Sequence, residues 1–138
     1  MTNNNEQIKN IIISLYNEDN ERVIDIGNYE FTNPIINTGS DSLKNSIVYL
    51  EPKPSLGLYG RITIYYDRIP LSTFNGSEVS KGNRVISLEL CDELNSKFGI
   101  GIYSDDLLPE TLGALGNFTI TASPSSLVFM GSGNLILV

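Results

Sequence analysis

Two stretches of this chain follow one plan, and that plan constrains the fold more than any other feature. In residues 45–66, NSIVYLEPKPSLGLYGRITIYY, the run Ile47, Val48, Tyr49, Leu50, Glu51 is rich in β-branched and aromatic residues and alternates as a strand does. Pro52, Pro54 and Gly57 break it, and Gly60 opens a second strand, Arg61 to Tyr66. Residues 117–138, NFTITASPSSLVFMGSGNLILV, repeat the scheme. Phe118 to Thr121 is a strand, Pro124 the breaker, Gly131 and Gly133 the reopening, and Asn134 to Val138 the last strand. A constant offset of 72 lays Asn45 on Asn117, Pro52 on Pro124 and Ile64 on Ile136. The spacing predicts a duplicated strand–loop–strand unit.

Each predicted hairpin follows a helix. Asn3 and Glu6 form a helix-start signal, and Ile8, Ile11, Ile12 and Leu15 then fall at i, i+3, i+4, i+7, one apolar face of a helix ending within residues 17–20. Ile86, Leu90, Cys91, Leu94 and Phe98 repeat at helical spacing and predict a second helix over 87–97, stopped by Gly99. Leu15-Tyr16-Asn17 and Leu94-Asn95-Ser96 occupy comparable places in the two helices. Residues 23–26 and 29–32 read as short extended pieces, and the strand from Arg61 is expected to run on through Asp67-Arg68-Ile69 to Pro70. The turn-rich segment 75–83, NGSEVSKGN, reads as a linker. The expectation is one domain over 1–138, with related halves at about 1–74 and 84–138.

The fold class expected is α+β: two helix-plus-hairpin halves whose antiparallel strands form a sheet or small sandwich, with both helices packed on it. The final apolar run Leu135 to Val138 must then be covered, by its own sheet or by a neighbour, since an exposed run would be a sticky edge. Internal burial is the expectation, because Ile64 stands at the matching place in the first hairpin.

Charge and composition exclude several functions. The net charge is −7, and the nine basic residues are scattered singly. A nucleic-acid groove or an anionic membrane surface needs them clustered, so neither partner is expected. The opening residues carry no secretory signal pattern, and the run Ile11 to Ile13 is too short to span a membrane. The chain contains no histidine, which removes histidine triads and histidine metal sites. A single cysteine, Cys91, forms neither an internal disulfide nor a thiolate zinc site, and its helical spacing marks it as a core filler. No phosphate-binding glycine motif occurs. Asp105, Asp106 and Glu110, like residues 17–21, lack calcium-loop spacing and read as solvated turns. No catalytic residue, cofactor or metal ligand is therefore assigned.

Two breaker loops carry apolar residues where polar ones would serve: Leu56, Leu58 and Tyr59 in the first, Val128, Phe129 and Met130 in the second. They read either as hydrophobic plugs or as a protein-contact surface, and these six residues are the candidate contact site.

The stretch LKNSIVYLEPKPSLGLYGRITIYYDRIPLS resembles small virion structural proteins of giant tailed bacteriophages. Those chains carry a helix ending in Leu-Asn, a loop with an Asx residue, an "NTxVTV" strand and a "GYxGSVTVxYNRxDLS" strand. Asn45-Ser46-Ile47-Val48 and Gly57 through Ser72 carry the likeness here, with Asp67 in place of the motif's Asn and Pro70 in place of its Asp. The second half resembles the same unit through Leu94-Asn95, Phe98-Gly99-Ile100, Asp105-Asp106-Leu107 and Gly131-Ser132-Gly133. The resemblance implies a non-enzymatic particle component, made in the host cytoplasm and located in the virion. A capsid accessory or decoration subunit is the first reading, with a tail or baseplate component as the alternative. Its expected partners are the major capsid or tail proteins and further copies of itself. A reading from a different class is a carbohydrate-binding or adhesin module working through the Tyr59 and Phe129 loops.

Overall fold

The computed structural model describes residues 5–20, 24–54 and 60–138. The protein is α+β, with two helices and nine short strands among these residues. It divides into two compact units, Asn4–Arg68 and Ile69–Val138.

The first unit opens with α1, Asn5–Asn20. Its inner side differs from the expected apolar face. Ile12 and Ile13 are buried, whereas Ile11 and Leu15 are 60% and 55% exposed. Lys9 lies 5.5 Å over the Phe31 ring, on the side of the helix that also carries buried Ile12 and Ile13 and half-buried Tyr16. Of the first expected extended piece, Val23 lies outside the described residues, residues 24–25 form no strand, and Ile26 opens a 3-10 turn, Ile26–Asn28. The strands β1 (Tyr29–Phe31), β2 (Ile35–Ile36), β3 (Ser46–Pro52) and β4 (Ile62–Tyr66) follow. β3 is central, with β1 and β2 end to end along one edge and β4 on the other, all antiparallel. Alternation along β3 buries Ser46, Val48 and Leu50, and their cross-strand partners Ile62 and Ile64 are buried with them.

Ile69–Pro70 (β5) begins the second unit, pairing in parallel with Phe129–Met130 (β8). The strand expected through Asp67 to Pro70 is therefore interrupted, because the Asp67 side chain turns back to accept the Asn45 N–H at 2.9 Å. A 3-10 turn, Leu71–Phe74, leads to β6, Glu78–Val79. The stretch read as a linker, 75–83, is thus part of this unit: β6 lies parallel beside β9, Ser132–Leu137. Backbone bonds from Gly76 to the Asn134 carbonyl, and from Val138 to that of Val79, extend the seam. β7, Gly116–Thr121, flanks the other edge of β9 in antiparallel register.

The C-terminal run is covered internally, with Leu135 and Leu137 fully buried and only Val138 more than half exposed. They join Leu71, Phe74, Val79, Leu90, Leu94, Ile102, Ile120 and Phe129 in one core. Gly133 lets this core close. A Cβ there would lie 2.2 Å from the Leu71 carbonyl oxygen, so the Leu71–Phe74 turn sits on β9 only because no side chain intervenes. The second helix begins as a 3-10 turn, Ser87–Leu90, and continues as α2, Cys91–Phe98. Gly99 ends it at φ 62°, its N–H bonded to the Asn95 carbonyl. Arg84 bonds Glu93 at 2.5 Å and the Ser80 carbonyl at 2.8 Å, holding the segment after β6 to this helix.

The offset of 72 keeps the first strands in phase, laying buried Val48 on buried Ile120, but not the second strands, where it matches buried Ile62 to exposed Asn134 and buried Ile64 to half-buried Ile136. An odd slip between those strands turns their residues to the other face. Parallel pairing, at β5–β8 and β6–β9, also departs from the all-antiparallel expectation.

Each helix is tied to the chain that follows by an asparagine. Asn17 Oδ1 accepts the Ile24 N–H at 2.9 Å while its Nδ2 donates to the Ile24 carbonyl at 3.4 Å. Asn95 does the same to Ile102, at 2.6 Å in both directions. Replacing Asn95 by Asp keeps the acceptor but sets a second oxygen against the Ile102 carbonyl. We expect Asn95→Asp to cost about 2–3 kcal/mol of stability, checked by urea unfolding of both proteins.

Candidate functional site

Residues 44–46 and 66–68 come from two stretches, and hydrogen bonding joins them at the base of the β3–β4 hairpin. Asn45 is the centre. Its Oδ1 accepts the Arg68 N–H at 2.8 Å and its Nδ2 donates to the Arg68 carbonyl at 2.9 Å, so the side chain stands in for a neighbouring strand. Ser46 Oγ donates to Asn45 Oδ1 and accepts Arg68 Nε–H, both at 2.7 Å. Asp67 holds the Asn45 N–H and pairs with Lys44 at 3.5 Å across solvent. Arg68 is buried, and burial pulls its guanidinium below the ordinary value, with Tyr66 acting in the opposite sense. Tyr66 borders this group. Its hydroxyl is buried without a hydrogen-bond partner, and burial raises its pKa to about 12 against a smaller lowering by Arg68.

A second polar cluster lies in the other unit. Asp106, read from the sequence as part of a solvated turn, is fully buried, whereas Asp105 is exposed. Its Oδ2 accepts the Tyr103 N–H at 3.0 Å and its Oδ1 accepts the Ser126 hydroxyl at 2.8 Å. Ser126 Oγ in turn accepts the N–H groups of Val128 and Phe129, at 3.3 and 3.0 Å. A hydroxyl beside a carboxylate resembles an activated nucleophile, but both groups are buried and committed to backbone partners. The pair acts as a bracket that holds the loop before β8 against the 3-10 turn Ser104–Asp106. Cys91 is buried, and its thiol pKa is pushed up to about 11, by burial first and then by the charges of Asp106 and Asp92, so it stays protonated as a core filler. Among the described residues no group of three or more potential ligands could hold a metal ion.

Of the six candidate contact residues, those of the second loop follow the plug reading. Phe129 is fully buried at the core, with Val128 packed beside that core and Met130 half-buried. The cause is the β5–β8 pairing with the Ser126 bracket, which turns this loop inward as a plug. Leu56, Leu58 and Tyr59 lie outside the described residues. The more open surface is the outer face of the β3–β4 hairpin. There Tyr49 and Tyr65 are half-exposed, Arg61 stacks 4.3 Å over the Tyr49 ring, and Arg61 pairs with Glu51 at 2.6 Å. Period-2 alternation carried this signal, since Tyr49 and Tyr65 are out of phase with Val48, Leu50 and Ile64. No described helix is long and apolar enough to cross a membrane.

The fold and its polar clusters define an α+β protein of two helix-and-hairpin units whose buried polar groups brace its turns. The chain belongs to a family of unknown function, DUF7941, whose model matches residues 1–138. No curated protein and no solved structure matches it.

Two outcomes follow from the buried groups. Tyr66→Phe removes a hydroxyl that has lost water and gained no partner, so it should raise stability by about 1 kcal/mol in urea unfolding at neutral pH. With the folded pKa above the ordinary value of 10.0, stability is intact below pH 10 and lost as pH rises toward 12. The phenylalanine variant should lose less stability over that window. Asp106→Ala leaves the Ser126 hydroxyl and Tyr103 N–H buried and unpaired; a loss of about 3 kcal/mol is expected, against under 0.5 kcal/mol for exposed Asp105→Ala, both read by thermal melting.

Proposed function

We propose that this protein is a non-enzymatic structural component of a tailed-phage particle, first of all a capsid accessory or decoration subunit. The observation that carries the reading is the convergence of Asn45, Ser46, Asp67 and Arg68. These residues of the resembling motif are spent on closing a hairpin. A motif of that kind serves to reproduce a shape, which is what a particle subunit needs. The Asp106–Ser126 and Cys91 environments support the same reading, since these three side chains are buried inside the fold. The adhesin reading loses support from the burial of Phe129, which leaves its loop unable to stack on a sugar.

We also infer that the two units are copies of one ancestral plan. Asn17 and Ile24 lie 78 positions before Asn95 and Ile102, which make the same two-bond contact. The same interval separates the Asn28-to-Asp25 turn bond from the Asp106-to-Tyr103 bond. It also separates Tyr29, paired with Pro52, from Leu107, paired with Ala122. Along the first hairpin strand the interval falls to 70: Lys53 bonds the Asn28 carbonyl as Ser123 bonds that of Asp106. At the reopening glycines, Gly60 and Gly131, both at positive φ, it is 71. A stepped interval of this kind is what loop deletions leave behind while the hydrogen bonds are retained.

Particles purified from the encoding phage on a density gradient and analysed by mass spectrometry should contain the chain at a fixed ratio to the major capsid protein. Antibody-gold labelling should then mark the heads. Label on the tail or baseplate would select the alternative location, and absence of the chain from particles would reject the virion reading altogether.

A further inference from the structure

We propose that the outer edge of β4 is a self-pairing surface, through which two copies of the chain join antiparallel about a two-fold axis at Ile64. The inference stands apart from the virion reading and rests on the first unit alone. The Tyr49 main chain faces away from β4: its N–H donates to Thr32 Oγ1 at 3.1 Å and its carbonyl accepts the Thr32 N–H at 2.9 Å. In an antiparallel ladder the direction alternates, so Val48 and Leu50 bond toward β4 and receive Ile64 and Ile62. Thr63 and Tyr65 therefore point their N–H and C=O groups out of the far edge. Among the described residues no strand pairs with that edge. The last hairpin strand of the other unit, β9, is treated differently, for β6 covers its far edge. An open row of main-chain donors and acceptors is a template for another strand.

The side chains select a second copy as the occupant. Antiparallel pairing centred on Ile64 sets Thr63 against Tyr65 of the second copy, and Tyr65 against its Thr63. The outward main-chain groups then satisfy one another in two doubly bonded pairs. Ile64 meets Ile64 and Ile62 meets Tyr66, so each buried face continues into the other with the pleat in phase. At both ends of the five-residue strand exposed Arg61 faces exposed Asp67 of the second copy, whose Oδ1 stays on the Asn45 N–H while its Oδ2, in a loose 3.5 Å solvent-exposed pair with Lys44, is the oxygen that Arg61 takes, opposite charges at each of two symmetric positions. Arg61 already bonds Glu51, but a guanidinium carries five donors and can serve two carboxylates. Moving the axis by one residue, a register shift of two, keeps the faces but separates these charges, and a register shift of one turns one copy's isoleucines outward. Only the register centred on Ile64 satisfies both the charges and the faces.

Sedimentation of the full chain over a concentration series, together with amide hydrogen exchange, tests this. A monomer–dimer equilibrium is expected, with exchange at the Thr63 and Tyr65 amides slowing as concentration rises. Thr63→Pro deletes one outward N–H without removing a β3–β4 bond, and should abolish the dimer while circular dichroism stays unchanged. Arg61→Glu, a surface change, should weaken dimerisation at least about tenfold by facing like charges, whereas Glu51→Gln should not. If the proline variant fails to fold, Arg61→Glu alone decides. A chain monomeric at every concentration overturns the proposal. So does a dimer that leaves both amides unprotected, or one whose affinity Arg61→Glu leaves unchanged.

Discussion

Three asparagine side chains hold this structure at its corners, each doing the work of a missing peptide. Asn17, Asn45 and Asn95 present an amide oxygen to the N–H, and an amide nitrogen to the carbonyl, of one distant residue: Ile24, Arg68 and Ile102. A carboxamide has the donor and acceptor of a main-chain unit, so it can extend a ladder where the chain must turn away. Without it, a buried N–H and carbonyl would be left unpaired at each corner, at about 1–3 kcal/mol per group. Small strands of two to seven residues could not tolerate that loss at several places. The short sheets in each unit depend on these contacts as much as on their apolar faces.

The same economy governs the buried polar side chains. Arg68, Asp106, Ser46 and Ser126 are the buried polar residues beside Ser87, and each is engaged in the fold. A fully buried carboxylate is tolerated because hydrogen bonds replace its water, and the arrangement that satisfies it also closes it to ligands. Membership of DUF7941 over the full chain length makes this bracing a pattern to look for across that family. The more open surfaces are the outer face of the first hairpin and the edge of β4, where Arg61 and Asp67 remain exposed.

The helices, both hairpins and the α+β class were legible before any coordinates, because periods of 3.6 and 2 are written locally in Leu90, Cys91 and Leu94 and in Val48, Leu50, Ile62 and Ile64. Gly99 and Gly60 marked their boundaries through backbone freedom. Less legible were β2, β5, β6 and β8, since a two-residue strand contains no period to read. The segment 75–83 looked like a linker because its turn residues were visible and its parallel partner, sixty residues away, was not. The offset between the hairpins was misread for a related reason. Two prolines, Pro52 and Pro124, matched by type, while hydrogen bonds rather than prolines set the register.

What the amino-acid order alone determined was the local grammar: which residues make helices, where strands break, and that the chain has no histidine and a single cysteine. Tertiary structure decided every question of direction. Packing took Ile12 and Ile13 of α1 inward and left Ile11 and Leu15 in solvent. The Ser126 bracket turned Phe129 from a candidate contact residue into the centre of a core. Asp106 became a buried hub because Tyr103 and Ser126 arrive from elsewhere to satisfy it. Periodicity is a property of neighbours along the chain. Burial, by contrast, depends on partners far along it, and a side chain's environment is settled only when those partners have met.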